Sequence, residues 1–178
     1  MTQPTRARST TVSFLKGVGA LKNFLRYTLG GYLHEQRKGQ VIMRGLIVDY
    51  VGVLDGTEED VKRWRSLFAA AKANGVATAI LSNDPGGPDA EPIREWEYRG
   101  IVDAVILSGE VGAEKPERAA FQAAADAIEL PLNDCVMVDD GILNVRAAVD
   151  FGMVGILYTV FDRSSVEIQA LFDIEGEF

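Results

Sequence analysis

The feature that most constrains the fold is a regular alternation of short apolar runs with amphipathic segments over residues 41–178. The apolar runs predict strands at 43–49, 76–81, 104–107, 135–138 and 153–157. The segments between and after them predict helices at about 57–74, 91–98, 116–127, 142–151 and 164–172. Apolar strands that alternate with helices are typical of a parallel sheet covered on both faces. The sequence therefore predicts one doubly wound, Rossmann-like α/β domain of about five strands.

Charge divides the chain near Gln40. Residues 1–40 carry seven basic side chains and one acidic side chain, whereas residues 41–178 carry eleven basic and 25 acidic side chains. An acidic surface repels nucleic acid, so we expect no nucleic-acid partner for the second part. We therefore predict two parts, a basic N-terminal arm over 1–40 and the α/β domain over 41–178.

The arm has the spacing of an amphipathic helix that ends near Gly30. Its apolar positions recur at steps of three and four residues, at Phe14, Leu15, Val18, Leu21, Leu25 and Leu29. Three interpretations stay open: packing on its own domain or a second copy, docking on a protein partner or membrane surface, and an organelle transit peptide. No stretch is long and uncharged enough to span a membrane. We expect a cytoplasmic protein, with contact to a membrane surface as one interpretation of the arm.

The rare residue types exclude several chemistries. One cysteine, Cys135, cannot form an internal disulfide, and with His34 as the single histidine no Cys/His zinc cluster can be built. A Ser-His-Asp triad would depend on His34, to which we assign no role. Cys135 lies within a predicted strand and is expected to be an inert core residue. Trp64 and Trp96 lie on predicted helices and are expected to pack in the core.

Polar side chains follow the predicted strands where parallel α/β sheets bind their ligands. In chain order these residues are Asp49, Ser82, Asn83, Lys115, Asp139 and Asp140. Carboxylate oxygens are the ligands that Mg²⁺ prefers, and an ammonium group can balance the charge of a phosphate. The sequence therefore predicts a site that handles phosphoryl groups, built around Asp49.

The order of these motifs resembles the haloacid dehalogenase superfamily of phosphatases and related hydrolases. The resemblance spans Leu46 to Leu157. It consists of Asp49 with Gly52, of Ser82-Asn83, of Gly112-x-x-Lys115-Pro116 with Phe121, and of Val138-Asp139-Asp140 with Asn144-Val145 and Ala147-Ala148.

This resemblance implies a role for each matching residue. Asp49 would be the nucleophile that takes up the phosphoryl group, and Ser82, Asn83 and Lys115 would bind the phosphorylated substrate. Lys115 would also neutralise Asp49. The resemblance further implies a Mg²⁺ cofactor, held by Asp49, Asp139, Asp140 and the backbone carbonyl of Val51.

The chain departs from the pattern of the phosphatases at Val51. Those enzymes carry a second Asp at this position, which protonates the leaving group and later activates water. Valine can do neither, and general acid–base catalysis is typically worth about 10²- to 10⁴-fold in rate. Asp55 could substitute or could be a solvated turn carboxylate. Tyr50 is expected to point to the opposite side from Val51.

The spacing of the motifs also limits the domain content. Only 32 residues separate Asp49 from Ser82, and 32 separate Ser82 from Lys115, which leaves no room for a cap domain in either interval. Two functions remain open. One is a Mg²⁺-dependent hydrolase of phosphate esters with low activity, and the other is an inactive binding or scaffold protein that docks through its N-terminal helix.

Overall fold

The computed structural model describes residues 43–178, which form a five-stranded parallel sheet flanked by helices. The strands are β1 (Gly45–Val48), β2 (Ala77–Ser82), β3 (Ala104–Leu107), β4 (Cys135–Asp139) and β5 (Val154–Leu157). Their order in the sheet is β3-β2-β1-β4-β5, and all four pairings are parallel. The predicted fold class is therefore confirmed. The predicted basic arm, residues 1–40, lies outside the described residues.

Six α-helices occur within residues 43–178. They are α1 (Glu58–Ala73), α2 (Glu91–Tyr98), α3 (Ser108–Val111), α4 (Arg118–Ala127), α5 (Ile142–Asp150) and α6 (Phe161–Phe172). Two 3₁₀ turns, Pro88–Ala90 and Leu132–Asp134, precede α2 and β4. In this part of the chain, no helix is both long and apolar enough to cross a membrane.

Helices α1, α2 and α6 bury an aromatic layer against one face of the sheet. Its large members are Trp64, Phe68, Trp96, Phe161 and Phe172. The rings of Trp64 and Phe161 pack edge to face with their centroids 5.1 Å apart. Both tryptophans are buried, as predicted. On the other face, α4 presents Ala120, Ala124 and Ala125 beside Phe121, and small side chains of this kind let a helix approach a sheet closely.

Three local features differ from the sequence prediction. The single turn of α3 was not predicted, because four residues are too short to show a helical period. Helix α6 begins at Phe161 rather than at Ser164, since Phe161 belongs to the aromatic layer and tertiary packing fixes the start of the helix. Helix α4 begins at Arg118, two residues after the predicted start at Pro116.

The strand order explains where the site forms. Strand β1 lies between β2 and β4, so the carboxyl ends of these three strands meet at one edge of the sheet. Asp49 continues directly from β1, and its backbone N–H donates to the Val138 carbonyl at 2.9 Å. The β1–β2 connection contains α1, and the β2–β3 connection contains one 3₁₀ turn and α2. The polar residues at the strand ends are therefore not covered by an inserted domain within residues 43–178.

Candidate active site

Lys115 lies between two buried carboxylates at the end of the sheet. Its Nζ is 2.7 Å from Asp49 Oδ1 and 2.7 Å from Asp139 Oδ2. The Lys115 side chain is 1% exposed, so these contacts are almost fully removed from water. One ammonium group between two carboxylates leaves a net negative charge. The centre can therefore accommodate a further cation.

Asp139 is held on its other side as well. Its Oδ1 accepts hydrogen bonds from the Gly141 backbone N–H at 2.8 Å and from Asn144 Nδ2 at 3.0 Å. Asn144 lies in the first turn of α5, which places its amide next to the end of β4. Asn144 belongs to the motif that begins at Val138, but the sequence alone did not indicate a role for it. The spacing of five residues from Asp139 into the following helix was the available signal.

Asp49 is buried and close to both charged neighbours. Its Oδ1 also accepts the Tyr50 backbone N–H at 2.7 Å. Burial raises the pKa of Asp49 to about 6, an effect that the Lys115 ammonium opposes and the Asp139 carboxylate adds to. An aspartate with this pKa is mostly ionised at neutral pH, which is the form that a nucleophile requires.

Asn83 holds the backbone of the lysine. Its Oδ1 accepts the Lys115 N–H at 2.8 Å, and its Nδ2 donates to the Lys115 carbonyl at 2.9 Å. The loop after β2 and the segment before α4 are therefore joined by two hydrogen bonds. The predicted contact of Asn83 with substrate stays a prediction, since both polar atoms of its side chain are already used.

Ser82 ends β2 with a buried hydroxyl. The residue is 1% exposed, and within the described chain its Oγ has no hydrogen-bond partner. A buried polar group without a partner costs about 1–3 kcal/mol. A hydroxyl left unpaired at the end of a central strand is therefore available to a bound ligand.

Asp140 is exposed and packs against the backbone of Gly52. A Cβ atom on Gly52 would lie 2.3 Å from Asp140 Oδ2, and the Gly52 φ of +81° is one that side chains rarely adopt. Carboxylate oxygens of Asp49, Asp139 and Asp140 lie within 4.8 Å of one another and could hold a metal ion. Over residues 43–178, no hydrogen bond or ion pair occupies the Asp140 carboxylate.

The loop after β1 presents Val51 to solvent. Asp55 Oδ1 accepts the Gly52 N–H at 2.7 Å, so this carboxylate closes the turn, as one of the two interpretations expected. Tyr50 packs against the aromatic layer, on the side predicted for it. Val51 itself is exposed, so the loop presents an apolar side chain to solvent at this position.

Cys135 lies apart from this chemistry. It is buried in β4, and burial raises the pKa of its thiol to about 12. A thiol with this pKa is protonated at neutral pH and is a poor nucleophile. The expectation of an inert core residue is consistent with both observations.

Fold and site together define a Rossmann-like α/β domain with a lysine-bridged acidic centre. The family model for haloacid dehalogenase-like hydrolases matches residues 5–152, and the chain belongs to this family.

Three known proteins illustrate the similarity. The sesquiterpene phosphatase astK of Aspergillus oryzae is 31% identical over 110 residues, which cover 61% of this chain and 56% of that protein. The crystal structure of an uncharacterized protein from Corynebacterium glutamicum is 70% identical with a TM-score of 0.76, and the match covers 76% of this chain and 99% of that one. The core domain of a putative phosphoglycolate phosphatase from Streptococcus pneumoniae has a TM-score of 0.53 at 17% identity, and covers 74% and 98%. This chain therefore spans about half the length of the fungal phosphatase, and the third similarity concerns the fold alone.

Proposed function

We propose that this protein transfers the phosphoryl group of a phosphate ester to Asp49 and then to water. The observation that carries the proposal is the buried Lys115 bridge, 2.7 Å from both Asp49 and Asp139. The unpaired Ser82 hydroxyl at the same edge of the sheet supports it as a group that could donate to a phosphoryl oxygen. The fungal relative is itself named as a phosphatase, which also supports the proposal.

In the first step an Asp49 carboxylate oxygen attacks phosphorus, and the bond between phosphorus and the ester oxygen breaks. Lys115 offsets the charge of the attacking carboxylate and of the phosphoryl group. The leaving group takes its proton from water. In the second step water attacks the phosphorus of the aspartyl phosphate, which releases inorganic phosphate and restores Asp49.

We propose Mg²⁺ as the cofactor, held by Asp49, Asp140 and the Val51 backbone carbonyl. Oxygen donors of this kind fit a hard divalent cation, and Asp140 is exposed beside Gly52 with its oxygens unused by residues 43–178. Bound there, the ion would supply positive charge to the phosphoryl oxygens. Asp139, also a predicted ligand, belongs to the same cluster, although Lys115, Gly141 and Asn144 already engage both of its oxygens.

We expect turnover to be low because Val51 can neither protonate a leaving group nor activate water. The same residue favours a second candidate function, an inactive member of the family that binds a partner. In that function the arm over 1–40, predicted as a basic amphipathic helix, would dock on a protein or membrane surface. The cytoplasmic localisation expected from the sequence belongs to both proposals.

The deciding experiment measures Mg²⁺-dependent hydrolysis of 4-nitrophenyl phosphate. Its leaving group needs little protonation, so the missing acid matters least in this assay. We expect Asp49→Asn to lower turnover by at least about 10³-fold, since it removes the nucleophile. Chelation of the metal and Asp140→Asn should each lower turnover as well.

The matched control is Asp150→Asn, which changes an exposed aspartate at the end of α5 and should leave turnover unchanged. Circular dichroism checks that each variant is folded. Turnover that survives Asp49→Asn would refute the proposed mechanism. A folded wild type that binds Mg²⁺ without any turnover would instead support the binding function.

A further inference from the structure

Three exposed apolar residues stand close in the chain to Gly52 or to Asp140. Val51 is 59% exposed in the loop after β1, and Ile142 and Leu143, the first residues of α5, are 60% and 69% exposed. We call these three residues the apolar rim. Single exposed apolar residues are common on protein surfaces. The position of these three relative to the acidic centre is what distinguishes them.

Chain connectivity brings the backbone of the apolar rim next to the acidic centre. Val51 directly precedes Gly52, whose backbone packs against the Asp140 carboxylate. Ile142 and Leu143 follow Asp140 by two and three residues. A ligand bound at Asp49 and Asp140 would therefore meet apolar side chains from the β1 loop and from the start of α5.

The fold does not require apolar residues at these positions. The buried side chains of α5 are Val145 and Ala148, which form the inner face of the helix. Val53 and Leu54, two and three residues after Val51, are 1% exposed and supply the core contacts of the β1 loop. A ligand that covers exposed apolar surface is stabilised by about 25 cal/mol for each Å² removed from water.

Val51 also sets a requirement on the leaving group, because an apolar side chain cannot donate a proton. An aliphatic alcohol has a pKa near that of water, about 16, whereas a phenol has a pKa of about 10. Without an acid at position 51, only a leaving group that departs readily as an anion is released at a useful rate. A phenolate fulfils this requirement, and its ring is apolar.

From these two observations we propose that the substrate is an aryl phosphate monoester, whose aromatic ring binds the apolar rim while its phosphoryl group is transferred to Asp49. The inference rests on the proposed function and names its substrate class. The bond that breaks joins phosphorus to the phenolic oxygen, and the phenolate later takes a proton from water. Because residues 43–178 contain no inserted domain over this edge of the sheet, the aryl group can belong to a larger molecule.

The test separates leaving-group basicity from apolar contact by comparing four substrates. Phenyl phosphate is apolar with a good leaving group, and cyclohexyl phosphate is apolar with a poor one. Acetyl phosphate is polar with a good leaving group, and glycerol phosphate is polar with a poor one. We expect kcat/KM for phenyl phosphate to exceed that for cyclohexyl phosphate by at least about 100-fold, the range that an absent acid predicts. Acetyl phosphate has the better leaving group, so the contact with the apolar rim is tested by KM alone, which should be about three- to tenfold lower for phenyl phosphate.

Variants of the apolar rim test the contact itself. Leu143→Gln should raise KM for phenyl phosphate about three- to tenfold and leave KM for acetyl phosphate unchanged, because only the aryl group is expected to cover this side chain. The matched control is Val149→Gln, an exposed apolar residue at the far end of the same helix, which should change neither KM.

The outcomes separate this inference from the proposed function. Turnover that depends on Asp49, with a KM for phenyl phosphate no lower than that for acetyl phosphate, would overturn the aryl assignment and leave the phosphatase proposal standing. An equal effect of Leu143→Gln and Val149→Gln would also overturn it. Absence of turnover on all four substrates, in folded protein with Mg²⁺, would overturn both.

Discussion

The two halves of the site differ in whether their polar groups have partners within residues 43–178. The first, which we call the anchored half, is held by hydrogen bonds and ion pairs of 2.7–3.0 Å. These contacts join Asn83 to the Lys115 backbone, and they join Asp139 to Lys115 and to Asn144. In the second, the open half, the Ser82 hydroxyl and the Asp140 carboxylate have no such partner among residues 43–178, and Val51 faces solvent. Asp49 lies between the halves and contacts Lys115.

This difference indicates which part of the site is fixed by folding and which awaits a ligand. A buried charge is stable only when it is paired and hydrogen-bonded, so the anchored half must form whenever the domain folds. Folding does not require ion pairs for the groups of the open half. The residue types in that half can therefore be set by the chemistry of a substrate. Substitutions in the two halves should therefore differ in whether they change stability or function.

The largest expected effect comes from breaking the anchored half with Lys115→Met. Two buried carboxylates would lose their counter-charge, and removing one partner of a buried ion pair typically costs about 3–5 kcal/mol. We expect the free energy of unfolding, measured with urea, to fall by that amount. The control Lys62→Met changes an exposed lysine of α1 and should stay within about 0.5 kcal/mol. A similar free energy of unfolding for the two variants would contradict a stabilising role of the anchored half.

The second prediction concerns pH and the position of Asp49 between the halves. Its pKa is raised from 3.8 to about 6 in the folded protein, so the folded state keeps a proton that the unfolded state has already released. Stability contributed by this group is therefore lost as the pH rises from about 4 to about 6, by an amount on the order of 2–3 kcal/mol.

The measurement for this second prediction is urea unfolding of the wild type and Asp49→Asn across that pH range, in metal-free buffer. The variant has no carboxylate to ionise, so its advantage over the wild type should grow with pH. A difference between the two proteins that stays constant over the range would show that the pKa of Asp49 is not raised.

Val51→Asp lies in the open half and is expected to change turnover without changing stability. The new carboxylate would stand in the open half, where the resemblance to the phosphatases implies an acid, and we expect turnover of an alkyl phosphate to rise at least about tenfold. Because Val51 is exposed, stability should change by less than about 0.5 kcal/mol. Val166→Asp, at an exposed position on α6, is the control and should not raise turnover. Unchanged activity would mean that position 51 does not reach the leaving group.

Ser82→Ala has the smallest expected effect on stability. Its hydroxyl is buried without a partner, so removing it should change the free energy of unfolding by no more than about 0.5 kcal/mol and can raise it. Inhibition by inorganic phosphate should weaken several-fold in the same variant. Ser164→Ala removes a second buried and unpaired hydroxyl, on α6, and should leave phosphate inhibition unaltered. Equal inhibition constants for the two variants would remove Ser82 from the proposed site.

The sequence was sufficient to predict the sheet and the placement of most of the site. Asp49, Ser82 and Asp139 follow from topology, because parallel strands bring their carboxyl ends to one edge. The partners of each side chain could not be predicted. That Asn83 holds the Lys115 backbone, and that Asn144 holds Asp139, depends on loop geometry for which the sequence has no periodic signal.

The contact between Gly52 and Asp140 has a consequence for how this protein can vary. A side chain at position 52 would displace the Asp140 carboxylate, so the two positions are bound by one steric rule although they are distant in the chain. Because the Gly52 φ of +81° disfavours a side chain in any case, we expect substitutions at Gly52 to be rare and to occur only where the carboxylate at 140 has already been lost. A side chain at position 52 in a related protein would then indicate that the carboxylate at position 140 is no longer needed for function.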